Sequence, residues 1–342
     1  MSGKFRVGLT RDILDSRGEP AFGRAALSIL DAAPGLEWEY LPKVVAEIDA
    51  DLASHYDALY VNIARVPGAA VARPDCRLRV VARHGVGYDA VDVAAMTKAG
   101  VIVTNTPTAM PRPVATTALT FILALSGKLF LKDRLTRTGR WHERMDNMGR
   151  GLTGRTLGVI GAGGIGKELM RMARSFDLKL ITADPVANDV ELGYIGAQKV
   201  SLETLLRESD FVVVCCLLNE KTRHIIGAKE LALMRPEAYL INVARGPIVD
   251  EPALIDALES QRIAGAALDV FEQEPVDPAN PLLAMDNVIV TPHSLCWTDE
   301  CFHNMASTGL RSILDALGGR IPEFVVNREV LNHPRVQAWL RA

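Results

Sequence analysis

The chain has 342 residues, 49% of them hydrophobic and 23% charged, with 38 basic against 41 acidic side chains and a formal net charge of −3. A chain of this length predicts two domains, and the near balance of charge argues against nucleic acid or a membrane surface as partner. The five cysteines (Cys76, Cys215, Cys216, Cys296, Cys301) are odd in number and lack C-x-x-C spacing, so neither a disulfide framework nor a zinc site is expected.

In chain order, the opening segment MSGKFRVGLTRD has no long apolar signal core. The longest apolar runs, such as FVVVCCLL at 211–218, fall far short of a membrane span, so a cytoplasmic protein is expected. A first set of short apolar runs follows: FRVGL (5–9), ALYVN (58–62), RVVAR (79–83) and VIVTN (101–105). They lack strict alternation and so expect cover on both faces, as strands of a parallel sheet do. Next comes PTAMPRP at 107–113, whose three prolines mark a chain crossing rather than a helix interior. An apolar helical pattern, VATTALTFILALSGKL, continues from it, long enough to bridge two domains.

A second set of strand-like runs has the same grammar: TLGVIG (156–161), KLITAD (179–184), FVVVCC (211–216), AYLINV (238–243), AGAALDV (264–270) and NVIVTP (287–292). The fold class predicted is α/β, with parallel sheets throughout. No short-period repeat or low-complexity tract is present.

Directly after the first strand of this second set, GAGGIG places Gly161, Gly163 and Gly166 in G-x-G-x-x-G spacing at the start of an amphipathic helix. In that context Gly161 permits the tight turn, Gly163 admits a pyrophosphate to the backbone, and Gly166 lets helix and strand approach. Gly164 and Ile165 complete the turn, and the helix N-terminus favours the negative charge. Asp184 ends the next strand, 18 residues beyond Gly166, near the expected offset of the acidic residue that holds the adenosine ribose. A carboxylate there repels a 2′-phosphate, so NAD is expected over NADP.

Three later strands end in polar or charged residues, INVARGP with Arg245, LDVFEQEP with Glu274 and VTPH with His293, and ligands of open α/β sheets bind at carboxyl strand ends. Taken singly, each has an ordinary reading as a loop or turn residue. Jointly, downstream of a dinucleotide turn, they suit hydride transfer on a 2-oxo or 2-hydroxy acid. Such chemistry needs a proton carrier (His293), a carboxylate that fixes its tautomer and favours its charged form (Glu274), and a planar cation for the substrate oxygens (Arg245). The seven histidines show neither H-x-x-x-H nor H-E-x-x-H spacing, so no metal is expected. Met110, Arg112 and Trp297 have open roles, Trp297 either walling a site or packing in a core.

These blocks, with ARHGVGYDAVDVAAMTKAGVIVTNTP and VVNREVL, fall in one order over nearly the whole chain, and that order resembles the NAD-dependent D-2-hydroxyacid dehydrogenases, including glyoxylate/hydroxypyruvate reductases and phosphoglycerate dehydrogenases. The resemblance implies two doubly wound domains with a cleft between them. One is a discontinuous flavodoxin-like substrate domain (1–106 and 296–342), the other an NAD-binding Rossmann domain (107–295). It further implies that Arg245 binds substrate, that Glu274 and His293 form the acid/base couple, and that Val86 and Gly87 receive the substrate carboxylate. Asp269 would meet the nicotinamide carboxamide, Val243 and Ala244 would line the cofactor, Trp297 is a substrate-side candidate, and the protein would be a homodimer. Several positions depart from the family pattern. Gly164 stands where many members have arginine, and Thr117 replaces a usual acidic residue. Asn62 and Ile63 align where the phosphoglycerate branch has Arg-Ser, and Glu274-Pro275 aligns where formate dehydrogenases have Gln-Pro. The last two disfavour phosphoglycerate and formate as substrates. A catalytically weak NAD(H) sensor resembling the C-terminal-binding corepressors is the alternative.

Overall fold

The apolar runs do pair as parallel strands. The computed structural model describes residues 4–340 and divides into two compact units, one formed by the residues up to Met110 with those from Trp297 onward, the other by Pro111–Cys296.

The first unit carries five parallel strands: β1 (Phe5–Leu9), β2 (Leu36–Tyr40), β3 (Ala58–Val61), β4 (Val80–Arg83) and β5 (Ile102–Thr104), in the order β2-β1-β3-β4-β5. This is the doubly wound order of flavodoxin-like sheets. Strand β3 is buried at all four positions, the pattern of a strand covered on both faces. Residues from the far end of the chain complete this unit. Helix Asp299–Leu317 buries Phe302, Met305, Leu310 and Ile313 in the same core as Val7, Tyr60 and Ala82. The buried Asn327 side chain accepts from Val103 N–H and donates to Thr97 and the Val101 carbonyl, which ties the C-terminal VVN segment to β5.

The second unit carries β6 (Thr156–Ile160), β7 (Lys179–Ala183), β8 (Ala197–Lys199), β9 (Phe211–Val214), β10 (Tyr239–Asn242), β11 (Gly265–Leu268) and β12 (Val288–Val290), ordered β12-β11-β10-β9-β6-β7-β8. The order reverses between β6 and β9, and at such a switch point the carboxyl ends of the strands offer a binding crevice. In register, Ile241 lies beside Ala267, and Leu268 beside Val290, so β10, β11 and β12 end level with one another.

Two features differ from the sequence expectation. Pro111 and Pro113 lie in the first turn of helix Pro111–Gly127 rather than in a crossing before it. That turn has no intrahelical N–H bonds to lose, so proline is tolerated there. Strands β2 and β8 had no counterpart among the apolar runs. Among the described residues no single helix is long and apolar enough to cross a membrane, and no disulfide joins any of the five cysteines.

Candidate active site

The glycine-rich turn follows β6 and opens helix Gly164–Ala173. Gly161 has φ of +97°, and a Cβ there would meet the Cys216 backbone nitrogen at 2.7 Å, so both conformation and close approach demand glycine. A Cβ on Gly166 would lie 2.0 Å from the Gly161 carbonyl oxygen, the close packing of helix on strand that the motif serves. At Gly163 nothing lies within 4 Å of the corresponding position, which leaves open backbone before a helix N-terminus. Oδ2 of Asp184 accepts from Ala162 N–H at 2.8 Å and Oδ1 from Val186 N–H at 2.9 Å. The carboxylate therefore sits against the turn, and a carboxylate's remaining lone pairs can still accept hydroxyl protons. Open backbone, helix N-terminus and adjacent carboxylate fit a dinucleotide. Gly164 faces the Pro111 ring at 3.2 Å from a would-be Cβ, and Ile165 follows it inside the helix.

Beyond the carboxyl ends of β11 and β12 the Glu274 and His293 side chains meet, and Arg245, beyond β10, lies near enough for its charge to act on Glu274. Nδ1 of His293 lies 2.7 Å from Oε2 of Glu274, and Oε1 of the same carboxylate accepts from Phe271 N–H at 3.0 Å. Burial alone pushes the Glu274 carboxyl up. The hydrogen bond and charge of His293, the Phe271 amide and the charge of Arg245 outweigh it and hold the group below its usual range. Its negative charge therefore survives as pH falls through the ordinary carboxylate range and is lost only below it. With a carboxylate on Nδ1, that nitrogen carries the ring's fixed proton and Nε2 becomes the exchanging one.

Arg245 caps the short turn Gly246–Ile248, with Nη1 donating to the Ala244 carbonyl at 2.8 Å. The buried Asn242 side chain shapes this segment, since its Oδ1 accepts from Ala244 N–H and its Nδ2 donates to the Arg245 carbonyl. Val243 and Ala244 lie between them on the strand end.

His293 has φ of +53°, a left-handed conformation that costs a non-glycine residue about 1–3 kcal/mol and persists only when its surroundings enforce it. Asp269 supplies the enforcement. Its buried Oδ1 accepts from the Thr291 hydroxyl at 2.6 Å and from the N–H groups of Ser294 and Leu295 at 3.0 and 3.3 Å, gripping the turn on both sides of His293. Sequence reasoning gave Asp269 a cofactor contact and overlooked this grip, and it overlooked Asn242 and Thr291 altogether. An asparagine two residues before an N–H it can accept from is a local signal that was available for Asn242.

Val86, Gly87 and Trp297 belong to the first unit. The loop after β4 is stitched by carbonyl acceptors: Arg83 Nε donates to Gly87 O, Asn105 Nδ2 to Val86 O, and Thr106 exchanges bonds with Gly85 on both sides. Trp297 is partly exposed and packs edge-on against Phe302, ring centroids 5.0 Å apart. Met110 and Arg112 are engaged locally, Met110 with Cys301 at 3.6 Å and Arg112 with Glu168 at 2.8 Å. Thr117 is buried and bonds the Pro113 carbonyl within its own helix. Burial pushes the Cys215 and Cys216 thiols up, Cys216 to about 11, which makes them poor nucleophiles.

Several known proteins resemble the chain. The family model described as "D-isomer specific 2-hydroxyacid dehydrogenase, NAD binding domain" matches residues 119–294. A protein of Thermococcus onnurineus named glyoxylate reductase is 36% identical over 301 residues, covering 86% of this chain and 90% of that one. Among solved structures, a glyoxylate reductase from Paecilomyes thermophila superposes with a TM-score of 0.82 at 28% identity, over 96% of this chain and all of that one. A D-lactate dehydrogenase with NAD+ from Lactobacillus jensenii gives 0.75 at 26% identity, over 94% of this chain and 99% of that one.

Proposed function

The chain belongs to the D-isomer specific 2-hydroxyacid dehydrogenases, and from that premise we propose that Arg245, Glu274 and His293 carry the reaction on a small D-2-hydroxy or 2-oxo acid of glyoxylate or hydroxypyruvate size. The protein is an NAD-dependent oxidoreductase performing hydride transfer on a 2-hydroxy or 2-oxo acid. The Gly161–Gly166 turn, Asp184 and the Val243–Ala244 strand end would hold NAD(H), which would supply the hydride acceptor or donor.

The observation that carries the residue assignment is the 2.7 Å contact of His293 Nδ1 with Glu274, with the charge of Arg245 acting on the same carboxylate. In the reducing direction, His293 Nε2 gives its proton to the carbonyl oxygen as C2 gains the hydride, and the Glu274 carboxylate stabilises the imidazolium beforehand. In oxidation the same nitrogen takes the hydroxyl proton. Arg245 polarises the carbonyl and holds the carboxylate with a planar fork of donors. Val86 and Gly87 of the first unit are proposed to receive the substrate carboxylate through backbone N–H groups, and Trp297 to contact the substrate side chain. The relatives named glyoxylate reductase favour a short side chain. A homodimer is proposed as well, supported by the exposed apolar side chains Leu129, Phe130, Trp141, Met145 and Met148; sedimentation velocity tests it.

Purified protein assayed with NADH and NADPH against glyoxylate, hydroxypyruvate, pyruvate, longer sugar-derived and phosphorylated 2-oxo acids tests the reading. Turnover of the two-carbon and three-carbon acids with NADH is expected. Tight NADH binding with no turnover on the whole panel would overturn it in favour of a sensor.

A further inference from the structure

Five described residues other than glycine have positive φ, and two of them are histidines, His224 at +52° and His293 at +53°. Each bonds a glutamate of the same short loop. His293 takes Glu274, and His224 places Nε2 2.5 Å from Oε1 of Glu272. Phe271 to Glu274 is thus strung between two histidine–glutamate couples, of which only one touches the proposed chemistry.

The second couple ties two parts of the site together. The backbone N–H of His224 donates to the Pro247 carbonyl at 2.9 Å, so its main chain is fixed to the turn that Arg245 caps. Its ring holds the loop that carries Glu274. These two pieces are already in backbone contact, because a Cβ on Gly246 would fall 1.9 Å from the Phe271 carbonyl carbon, a space only glycine leaves. Glu251 closes the arrangement: its Oε2 accepts from Glu272 N–H at 3.0 Å, and its Oε1 accepts from Asn280 Nδ2 at 2.7 Å.

We infer that His224, acting through Glu272, is a positioning residue that sets the separation of Arg245 from the Glu274–His293 couple. The inference rests on the reading of that site given above. It holds in either ionisation state of the ring, since a neutral imidazole can carry its proton on Nε2 and donate it to Glu272. An exposed ion pair adds little to stability, and both side chains here are partly solvated. Holding a non-glycine residue in a left-handed turn for such a contact therefore serves geometry rather than stability.

The experiment is steady-state kinetics on glyoxylate and hydroxypyruvate with saturating NADH for the wild type, His293→Ala, His224→Ala, His224→Gln, Glu272→Gln and the double variant His224→Ala/Glu272→Gln. Melting temperature and NADH affinity are measured on each. Displacing a reacting group by about 1 Å costs up to about 100-fold. His224→Ala should accordingly lower kcat/KM about 10- to 100-fold, through both a higher KM for the oxo acid and a lower kcat, with NADH affinity and melting temperature little changed. Glu272→Gln keeps shape and backbone contacts and should lose less. His224→Gln, whose Nε2 reaches as far as the ring's, should recover most of the activity, and the double variant should be no worse than His224→Ala. His224→Ala within about twofold of wild type, no recovery in His224→Gln, or losses that multiply in the double variant would each overturn the inference. If His293→Ala is inactive while His224→Ala is not, the site reading stands and this inference alone fails. If His293→Ala retains full turnover, the site reading fails first.

Discussion

Two strands run into a histidine, one in each unit, and the two rings have opposite fates. His84 follows β4 and is 3% exposed, boxed by the rings of Tyr60, Phe302 and Phe22 at centroid distances of 5.5, 4.8 and 6.1 Å. Burial and then the nearby Arg83 charge push it down to about 3, so it is neutral under any ordinary condition. Nδ1 bonds the Tyr60 hydroxyl, while Nε2 is buried without a hydrogen-bond partner. His293 follows β12 with a side chain 41% exposed and a carboxylate on Nδ1. Position after a strand therefore says little about a histidine. Solvent access and a charged partner separate the proposed proton carrier from a packed ring.

Removing each ring tests the contrast, and the largest effect belongs to the exposed one. General acid–base groups contribute roughly 10²- to 10⁴-fold, so His293→Ala is expected to lower kcat by about that much in steady-state assays, while NADH affinity measured by fluorescence titration stays near wild type. A kcat unchanged in this variant would erase the distinction between the two histidines. The next effect belongs to the cation beside the couple. Arg245→Ala should raise KM for the oxo acid and lower kcat together, because the guanidinium would act on bound substrate and on the charge developing at the carbonyl oxygen. Removing one such donor costs about 10²- to 10³-fold in kcat. A change confined to KM would reduce Arg245 to a binding residue.

The same contrast between apolar cover and polar partnership decides what the amino-acid pattern revealed. Strands covered on both faces, such as FVVV at β9 and YLIN at β10, appear as uninterrupted apolar runs and are legible. β2 (LEWEY) and β8 (AQK) lie at sheet edges with only one neighbour each, and their polar residues hide them. The glycine turn was legible because its strand and helix frame it, and Arg245, Glu274 and His293 stood out as candidates because they follow successive strands. Asp269's grip on the His293 turn and the His224–Glu272 contact were not. Those bonds join residues 22 to 48 positions apart, and nothing in local spacing announces them. HGVG at 84–87 likewise looked like a loop; that its histidine is entombed follows only from Phe22 and Phe302, which arrive from distant parts of the chain.

The smallest effect expected is on stability, and it belongs to the buried ring. In the unfolded chain a histidine titrates near 6.5, whereas folded His84 resists protonation down to about 3. Between those values the unfolded state binds the extra proton, so stability contributed by the neutral ring is present above about 6.5 and is lost as pH falls toward 3. Across the 1.5 units from 6.5 to pH 5 the loss amounts to about 2 kcal/mol. Denaturant melts of wild type and His84→Gln at pH 7.5 and pH 5 isolate this contribution, since glutamine fills much of the space and does not titrate. The variant should be the less stable protein at pH 7.5, having lost the ring packing against Phe302. The gap should narrow by about 2 kcal/mol at pH 5, because only the wild type pays for keeping a histidine neutral there. A gap that stays constant between the two pH values would mean that His84 takes up its proton in the folded state, and that its strand end is as open to water as the one that carries His293.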